Sequence, residues 1–505
     1  MQIDRKHPEL PLILAIDIGT SSIRSLLFDR LGRCLPEATS RQPLKLRVEK
    51  DGRAVIMTAS LAESCWGCID ETLEKAGDIS SHISAVAMCT FVSNILGVDS
   101  ECQPVTPVYT YADTRPSQVV PGMRSIFNEE QLHQRTGCVL HASYLPARFI
   151  WLAQYQPEVL AQVQSWMTIG ELLYTQLFGE TAVSYSVASW SGLFDRTRFQ
   201  WDTEVVGKLP LRASQLSPLV ELNHSFQGLQ ASYARRWPAL KDIPWYPAVG
   251  DGAAANIGSG CINHNQVAVT MGTSSAVRVV IPDSAPPVPS GLWAYCVDRQ
   301  RALLGGALSE GGSLYAWMVN VLNLTEYDDL EASLANLPPA GHRLTVLPLL
   351  TGERNPGWRG DARGAISGIT LATTPLEIFR AGLESVALRI AEIYQLLAPL
   401  VAQRPQVIAS GGALSKSKLW AQILSDALGE PLAISSVHEA SARGAALLAL
   451  RSLGLVKTLD ELPSPTGGTF EPNLAAHKVY RAALQEQRNL YGKIYIEGSL
   501  TDGTI

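Results

Sequence analysis

Residues 14–29 read LAIDIGTSSIRSLLFD, so a Gly-Thr-Ser-Ser word stands between two apolar runs. The same arrangement returns at residues 267–280, which read VAVTMGTSSAVRVV. In both copies the second apolar run carries one arginine, Arg24 or Arg278. β-branched and aliphatic residues on both sides of a Gly/Ser cluster predict a β-hairpin. The chain is therefore predicted to contain two related hairpins, one in each half.

The predicted turns have the chemistry of a phosphate site. Gly19 and Gly272 allow close approach of a ligand to the backbone, and successive N–H groups in such a turn form an anion-binding concavity. Hydroxyl donors suited to phosphate oxygens follow each glycine. Two such turns could close on one polyphosphate from opposite sides, although each copy alone could be an ordinary Ser-rich turn. The hydroxyl residues are Thr20, Ser21 and Ser22 in the first copy, and Thr273, Ser274 and Ser275 in the second.

Composition limits the class of protein. The chain has 505 residues, 46% of them apolar and 17% charged, with a formal charge of −6. This length exceeds what one hydrophobic core usually serves, so two domains are expected. No basic stripe suggests a nucleic-acid partner, and no apolar run approaches the roughly 18 residues of a membrane span. The polar N-terminus does not resemble a signal peptide, so a soluble cytoplasmic protein is expected.

The eight cysteines are scattered and are expected to be reduced thiols. Cys65 and Cys68 form a single CxxC pair. A structural zinc site needs a second pair, and the nearby sequence offers none, so a metal or redox role is disfavoured.

Alternation of strand and helix patterns predicts an α/β fold. Apolar strand-like runs at 83–89 and 407–410 follow or precede helical patterns, and the longest predicted helix covers 375–400. A Pro-bearing stretch near 244–250 is the expected joint between domains. The predicted organisation is an N-terminal extension (1–11), a first domain (12–247), a second domain (248–460) and a helical, peripheral C-terminal tail (461–505).

Asp251 directly follows the predicted joint, between Gly250 and Gly252, where small residues open a helix. A carboxylate at a helix N-terminus is commonly a cap. Between two domains that close over a substrate, the same carboxylate is also well placed as a general base. The residues alone favour neither interpretation.

A second polar group lies in the stretch 107–116, PVYTYADTRP, where a strand runs into a proline turn. Asp113 can accept hydrogen bonds from hydroxyls, and Arg115 can bind a carboxylate. A surface Asp–Arg pair explains the spacing equally well.

Two further glycine clusters are predicted to be turns. Residues 305–312 read GGALSEGG before a helix, and residues 407–415 read VIASGGALS, a strand followed by a glycine turn and a helix. Glycines at a strand–helix junction let a base or a phosphate approach the backbone. Neither cluster is a P-loop or a GxGxxG fingerprint.

Taken together, these words resemble the FGGY carbohydrate kinases of the actin/Hsp70/sugar-kinase superfamily. The resemblance runs from about residue 12 to 455 and rests on five words in the family's order: DIGT from Asp17, GDG around Asp251, MGTS from Met271, GERNPGW at 352–358 and SGGALS at 410–415. It implies two RNase-H-like domains with ATP, Mg²⁺ and a sugar in the cleft between them.

The resemblance also implies roles for single residues. Asp17 lies near Mg²⁺, Arg24 lies by the phosphates, and Asp251 is the base that takes the proton of the sugar hydroxyl. The two hairpin turns are the phosphate loops, and the remaining glycines and one serine contact the nucleotide. Those nucleotide residues are Gly312, Gly411, Gly412 and Ser415.

The sugar is the least specified part of the resemblance. The stretch from Tyr111 to Arg115 is similar to the Trp-Ala-Asp-Asn-Arg of the gluconate kinases, so Asp113 and Arg115 are expected to face the acceptor. Where that branch has Met-His, this chain has Val92-Ser93, and Tyr111 replaces its Trp. Gluconate is the first candidate, and xylulose, ribulose or another polyol is the alternative. A rival of another class is a non-sugar ATPase switch like actin or Hsp70; a homodimer is left open.

Overall fold

A computed structural model of the chain describes residues 1–326, 329–462 and 466–497. Strands and helices are interspersed along residues 1–250. The strands are β1 (Leu12–Ile18), β2 (Ser22–Phe28), β3 (Cys34–Pro43), β4 (Leu46–Val48), β5 (Ala54–Ile56), β6 (Ile83–Thr90), β7 (Leu96–Val98), β8 (Val108–Tyr109), β9 (Ser165–Met167), β10 (Val183–Ser184), β11 (Phe194–Asp195), β12 (Gln200–Trp201), β13 (Leu219–Val220) and β14 (Val249–Gly250). The helices are α1 (Leu61–Ala76), α2 (Val120–Met123), α3 (Glu129–Thr136), α4 (Leu145–Tyr155), α5 (Pro157–Gln162), α6 (Ile169–Phe178), α7 (Tyr185–Ala188), α8 (Thr203–Gly207) and α9 (Ala231–Arg236).

Strands and helices are also interspersed along the described residues after 250, and the longest of the described helices lie there. The strands are β15 (Gln266–Met271), β16 (Ser275–Ile281), β17 (Trp293–Asp298), β18 (Arg301–Leu308), β19 (Thr345–Leu347), β20 (Ala365–Ser367), β21 (Gln406–Ser410), β22 (Leu432–Ser435) and β23 (Thr466–Phe470). The helices are α10 (Asp251–Gly258), α11 (Gly312–Val321), α12 (Leu330–Ala335), α13 (Pro375–Leu397), α14 (Gly412–Lys416), α15 (Lys418–Leu428), α16 (Ala440–Ser452) and α17 (Leu474–Tyr491).

The chain builds two large sheets with related topology. The first has five strands in the order β14-β6-β1-β2-β3, and the second has seven in the order β17-β18-β16-β15-β21-β22-β23. In each sheet an antiparallel hairpin, β1–β2 or β15–β16, lies beside a parallel strand, β6 or β21. Both predicted hairpins are therefore confirmed, and so is the two-domain α/β fold.

The strands of both hairpins are mostly apolar because helices cover the sheets. Every residue of β1 is buried, and so is β6 apart from Ser84. Helix α1 packs on β2 and β3, whereas α13 and α15 pack together beside the second sheet. Sheets covered on both faces have near-continuous hydrophobic strands, which is the pattern in the sequence.

Helices α10 and α16 form the tightest helix pair and join the two halves. A Cβ on Gly258 would overlap the carbonyl of Ala440, and one on Gly444 would overlap the carbonyl of Ala254. Only glycine allows the two backbones to come this close. Helix α16 also packs on β1 and β6, so a helix from the C-terminal part of the chain covers the first sheet.

Two local expectations are wrong. Gly305 and Gly306 are strand residues of β18 rather than turn residues, because the turn before α11 begins only after Leu308. The C-terminal segment is also not peripheral. Strand β23 pairs with β22 at the edge of the second sheet, and α17 buries Ala476, Tyr480 and Leu484 in the core. Residues 498–505 of the predicted tail lie outside the described residues.

The cysteines are all free thiols, and all but Cys102 are buried. Cys65 and Cys68 lie on the buried face of α1, where burial raises the pKa of both thiols. The CxxC pair is therefore part of the first core.

Candidate active site

Each hairpin turn projects from the end of a buried strand. In the first turn the backbone N–H of Gly19 donates to the Ser22 carbonyl at 3.0 Å. In the second, the N–H of Gly272 donates to the Ser274 carbonyl at 2.9 Å. Ser21, Thr273 and Ser274 are exposed and Thr20 is half-buried. Ser22 is only 4% exposed, so its hydroxyl is not part of the open turn.

The glycine clusters predicted to contact a nucleotide meet at the second turn. The N–H of Gly312 donates to the Gly272 carbonyl at 2.7 Å, and Ser313 N–H donates to the Thr273 carbonyl at 3.1 Å. Gly411 has φ +104°, and a Cβ there would overlap the Met271 carbonyl. The structure therefore brings three distant segments together in one place.

Open space lies in front of several of these glycines. A Cβ on Gly272 or on Gly412 would meet no heavy atom within 4 Å. Ser415 is exposed on the short helix α14, and its hydroxyl donates to the Gly412 carbonyl at 3.2 Å. This surface has room for a ligand to lie directly against the backbone.

Asp251 lies where β14 ends and α10 begins, on the edge of the first sheet. Its Oδ1 accepts a hydrogen bond from the Gly252 N–H at 2.7 Å, and the residue is half-buried. Burial raises the pKa of Asp251 to about 6, and the charge of Asp17 adds to this effect while Arg278 opposes it. A carboxylate with a pKa this close to neutrality can accept a proton at physiological pH.

Asp17 and Arg24 face each other across the first hairpin. Arg24 Nη2 lies 2.8 Å from Asp17 Oδ2, and its Nη1 lies 2.6 Å from Glu439 Oε2. Burial raises the pKa of Asp17 and the charge of Arg24 opposes that rise. Arg24 therefore has two carboxylate partners, one of which comes from the segment before α16.

The arginine of the second hairpin has different surroundings. Arg278 Nη1 lies 3.4 Å from Thr270 Oγ1, and within the described residues no ion pair includes Arg278. Burial lowers the pKa of Arg278, while the charge of Asp251 raises it. The Arg278 guanidinium thus lies near Asp251 without forming a direct ion pair.

The Tyr111–Arg115 stretch divides into an exposed and a buried part. Tyr111 is 39% exposed. Burial of its ring raises its pKa, the charge of Asp251 adds to this, and a hydrogen bond with Thr20 lowers it. The structure therefore brings Tyr111 together with the first turn and with Asp251.

Asp113 and Arg115, in contrast, lie inside the protein. Asp113 is fully buried, and Arg115 binds it through Nε at 2.9 Å and Nη2 at 2.6 Å. Arg148 Nη1 lies 3.2 Å from the same carboxylate, and the Arg115 guanidinium covers the Trp151 ring at 4.5 Å. The geometry does not place either side chain on an open surface, in contrast to the expectation that they face the acceptor.

Ser93 lies at the end of β6, beside the β14 strand that precedes Asp251. It has φ 52°, and its hydroxyl donates to the Trp190 carbonyl at 2.7 Å. Trp190 in turn stacks on Tyr295 with ring centroids 3.6 Å apart.

Further residues form an aromatic cluster near Tyr111, and several of them were not predicted from the sequence. The ring of His141 meets that of Trp358 edge-on at 5.2 Å, and the hydroxyls of Tyr144 and Tyr295 are 2.6 Å apart. The loop that carries Trp358 also carries Arg354, whose charge affects the pKa of both Tyr111 and His141. The GERNPGW word was visible in the sequence, but nothing in it distinguished Arg354 from its neighbours.

No group of three or more His, Cys, Asp or Glu side chains in the described ranges could hold a metal ion by itself. Mg²⁺ bound with a nucleotide usually takes one or two carboxylates together with phosphates and water. The charge of Asp17 raises the pKa of Asp251, so the two carboxylates lie near each other, and this donor set fits a phosphate-bound Mg²⁺.

This fold and site define a two-domain phosphotransferase. Residues 12–258 match the N-terminal domain of the FGGY family of carbohydrate kinases, and residues 267–453 match the C-terminal domain of that family. The chain therefore belongs to the FGGY family of carbohydrate kinases, as the sequence predicts. It is a kinase that uses ATP as phosphate donor and a small sugar-type molecule as acceptor.

Individual relatives differ in their acceptors. The chain is 25% identical over 493 residues to a gluconokinase from Bacillus subtilis, covering 94% of each chain. It is 28% identical over 488 residues to a glycerol kinase from Polaromonas sp., covering 92% of this chain and 95% of that one. A crystal structure of gluconate kinase from Lactobacillus acidophilus superposes with TM-score 0.89 at 23% identity, covering 98% of this chain and 100% of that one.

None of the helices in the described part of the chain has the length and apolar character of a membrane-crossing segment.

Proposed function

We propose that this chain transfers the γ-phosphoryl group of ATP to a hydroxyl of a small sugar acid, with gluconate as the first candidate. The observation that carries the proposal is the position of Asp251. This carboxylate has a pKa raised to about 6, lies at the end of a sheet strand, and is electrostatically coupled to Asp17 and Arg278 of the two hairpins. A sugar kinase needs at least a proton acceptor that lies close to phosphate-binding turns.

Asp251 is the proposed general base. It accepts the proton of the sugar hydroxyl while that oxygen attacks the γ-phosphorus. The hydrogen bond from the Gly252 N–H fixes one carboxylate oxygen, which leaves Oδ2 for the substrate. Most of the catalytic effect then comes from positioning the hydroxyl in line with the phosphoryl group.

The two turns are the proposed phosphate loops. Their exposed residues are Ser21 on one side and Thr273 and Ser274 on the other, and the half-buried Gly19, Thr20 and Gly272 lie beside them. The open space before Gly272 and Gly412 leaves room for the nucleotide, with Gly312, Gly411 and Ser415 beside it. Ser22 contributes through its backbone, because its side chain is buried.

Asp17 is the residue proposed to hold Mg²⁺, directly or through water. When bound, the ion neutralises charge on the transferring phosphoryl group. Arg24 is then proposed to oppose the rise that burial causes in the pKa of Asp17, since its guanidinium binds both Asp17 and Glu439.

The domain limits predicted from the sequence, 12–247 and 248–460, stay a proposal. Because β14 belongs to the first sheet while β23 and α17 belong to the second sheet and its core, we propose to move the first limit to residue 250 and to count the C-terminal segment with the second domain. The proposed cleft lies between these domains, where closure would exclude water that competes with the sugar as acceptor.

The acceptor side is proposed to be formed by Tyr111 and Ser93, together with Asp251. Tyr111 is exposed near Asp251 and the first turn, and Ser93 lies in the loop that follows β6. Asp113 and Arg115 are proposed to act indirectly, as a buried ion pair that holds the Tyr111 loop. Xylulose, ribulose or another polyol stays the alternative acceptor.

A non-sugar ATPase switch is the alternative of another class. Membership of the FGGY family disfavours it, because its members are carbohydrate kinases.

The test is ATP consumption by the purified protein with Mg²⁺, measured against gluconate, xylulose, ribulose and glycerol. A strong response to gluconate alone supports the proposal. A response to a ketopentose keeps Asp251 as base and replaces the acceptor. An ATPase rate that no sugar changes would contradict the transfer reaction itself.

A further inference from the structure

The loop at 351–360 carries the GERNPGW word. Within it, the two residues that flank Arg354 are fixed by contacts with the rest of the protein. Glu353 is 2% exposed, forms an ion pair with Arg389 and accepts a hydrogen bond from Tyr491 Oη at 2.5 Å. Asn355 is fully buried and accepts from the Ala307 N–H at 2.8 Å. The residue between them, Arg354, is half-buried and takes no part in these contacts.

Arg354 points to the proposed acceptor side of the cleft. Its charge influences the pKa values of Tyr111 and His141, which belong to the first half of the chain. Trp358, four residues further along the same loop, packs on His141 and on Tyr144. The guanidinium is therefore near Tyr111, and Tyr111 also lies near Asp251.

In the part of the chain that the structure describes, Arg354 forms no ion pair, which it shares with Arg278 and which distinguishes it from four other arginines of the two halves. Arg24, Arg115, Arg148 and Arg389 each form an ion pair with a carboxylate. Within residues 1–326, 329–462 and 466–497 no ion pair includes Arg354, and its Nε is buried without a hydrogen-bond partner. Burying an unpaired charge is costly, so such a group indicates an anion that is supplied from outside the chain.

A second donor accompanies Arg354. The Ser143 N–H donates to His141 Nδ1 at 3.2 Å, and burial together with Arg354 lowers the pKa of His141 to about 4. The ring is therefore neutral, with its proton on Nε2, and can donate one hydrogen bond without adding charge.

We propose that Arg354, assisted by His141, binds the carboxylate of a sugar-acid acceptor and is the residue that selects acids over neutral sugars. This inference rests on the proposed function and replaces Arg115 in the role of carboxylate ligand. A guanidinium suits this task because its planar fork matches both oxygens of a carboxylate. The carboxylate lies at the Arg354 end of the acceptor and the reacting hydroxyl at the Asp251 end, with Tyr111 between them.

The competing occupant of Arg354 is the γ-phosphate of ATP. The aromatic cluster around Arg354 favours the acceptor, because it consists of Tyr111, His141 and Trp358. The glycine surface built from Gly272, Gly312 and Gly411 has no aromatic member. The KM for ATP distinguishes the two occupants. It should rise on loss of Arg354 if the guanidinium binds the γ-phosphate, and it should stay unchanged if the guanidinium binds the acceptor.

The experiment compares Arg354→Gln with Arg363→Gln, which changes an exposed arginine nearby that contacts only carbonyls. For Arg354→Gln we expect the KM for gluconate to rise about 30- to 150-fold, as for the loss of a charged, two-pronged hydrogen bond. The KM for ATP and the turnover of a neutral polyol should stay within threefold of wild type. Arg363→Gln should match wild type in all three.

Calorimetric binding of gluconate supplies a readout that does not need turnover. Asp251→Asn should bind gluconate, and the double variant with Arg354→Gln should not. The melting temperature of the double variant should equal or exceed that of Asp251→Asn, since the half-buried guanidinium that is removed has no carboxylate partner among the described residues. If Arg354→Gln does not fold, Arg354→Lys keeps the charge and should still weaken gluconate binding, because the fork is gone.

The outcomes separate this inference from the proposed function. Gluconate affinity within threefold of wild type in the Arg354 variants, or a KM for ATP that rises equally, would overturn the inference and leave the kinase assignment intact. A wild-type enzyme that phosphorylates ketopentoses and ignores sugar acids would overturn both the acceptor class and the role of Arg354. Only loss of gluconate recognition with ATP recognition retained supports the proposal.

Discussion

The two hairpins share one sequence word but place their arginines in different environments. In the first, Asp17 lies directly opposite Arg24, which also binds Glu439. In the second, the residue two positions before the glycine is Thr270, and Arg278 reaches only its hydroxyl. The first hairpin is therefore closed by ion pairs, whereas the second leaves a cation near Asp251.

The two arginines differ in environment because Thr270 stands where the first hairpin has Asp17, and because the strand register of the two hairpins differs by one residue. Ile18 pairs with Ile23 around the first turn, while Met271 pairs with Ser275 around the second, which closes one residue earlier. The repeated word thus specifies a hairpin and a glycine turn in both copies. It does not specify which charge the arginine meets, because that depends on the facing residue and on segments far away in the chain.

The largest expected effect comes from Asp251, the carboxylate that interacts with both hairpins. Asp251→Asn should lower kcat by about 10²- to 10⁴-fold, the usual contribution of a general base, with ATP binding retained. Single-turnover kinetics and ATP titration measure the two quantities. Asp242→Asn is the matched control, because Asp242 is a neighbouring acid whose side chain is 82% exposed. Comparable activity of both variants would refute the assigned role.

The pH profile should report the same carboxylate. Because the pKa of Asp251 is raised to about 6, kcat/KM should fall as the pH drops through 6 and Asp251 becomes protonated. A raised pKa also means that the folded state binds this proton more tightly than the unfolded state, so the ionised form destabilises the fold above pH 6. Asp251→Asn should therefore melt at a higher temperature than wild type at pH 8. A wild-type rate that is flat between pH 5 and 7 would argue against Asp251 as base.

The arginines offer the most direct test of the hairpin comparison. Arg24→Gln leaves the buried Asp17 without a cation and should lower the free energy of unfolding by about 1–3 kcal/mol, since Arg24 is partly exposed and its ion pairs are partly screened. Arg278→Gln breaks no ion pair and should leave that free energy unchanged or higher. Urea unfolding measures the free energy of unfolding of both variants. Equal destabilisation would show that the two arginines do not differ in their ion pairing.

The smallest expected effect concerns the turns themselves. A Cβ on Gly272 would meet no protein atom within 4 Å, and one on Gly19 only the Ser22 carbonyl at 3.4 Å. Both alanine variants should fold normally but bind ATP more weakly, by about 1 kcal/mol, because the methyl group occupies ligand space. Unchanged ATP affinity in Gly272→Ala would show that this turn does not contact the nucleotide.

Much of the architecture could be predicted from local patterns. Strand runs, the glycine turns and the small-residue helix start after Asp251 depend on neighbours within a few residues, so their types were recognisable. Gly305 and Gly306 were misassigned because glycine in a central strand has the same local signal as glycine in a turn. The C-terminal helix was predicted, but its packing in the second core was not, because its partners are distant in sequence.

By itself the sequence determined the two hairpins, the α/β order and the family, and through the family resemblance it supplied Asp251 as the candidate base. Only the tertiary structure decided which arginines are available. Arg115 stands two residues after Asp113 and proves to be buried against it. Arg354 follows Glu353 directly, yet that glutamate binds Arg389 instead. The availability of a charge depends on burial and on partners that folding brings together, such as Glu439, 415 residues away from Arg24. No local pattern contains that information, because electrostatic energy depends on distance and solvent exposure in three dimensions.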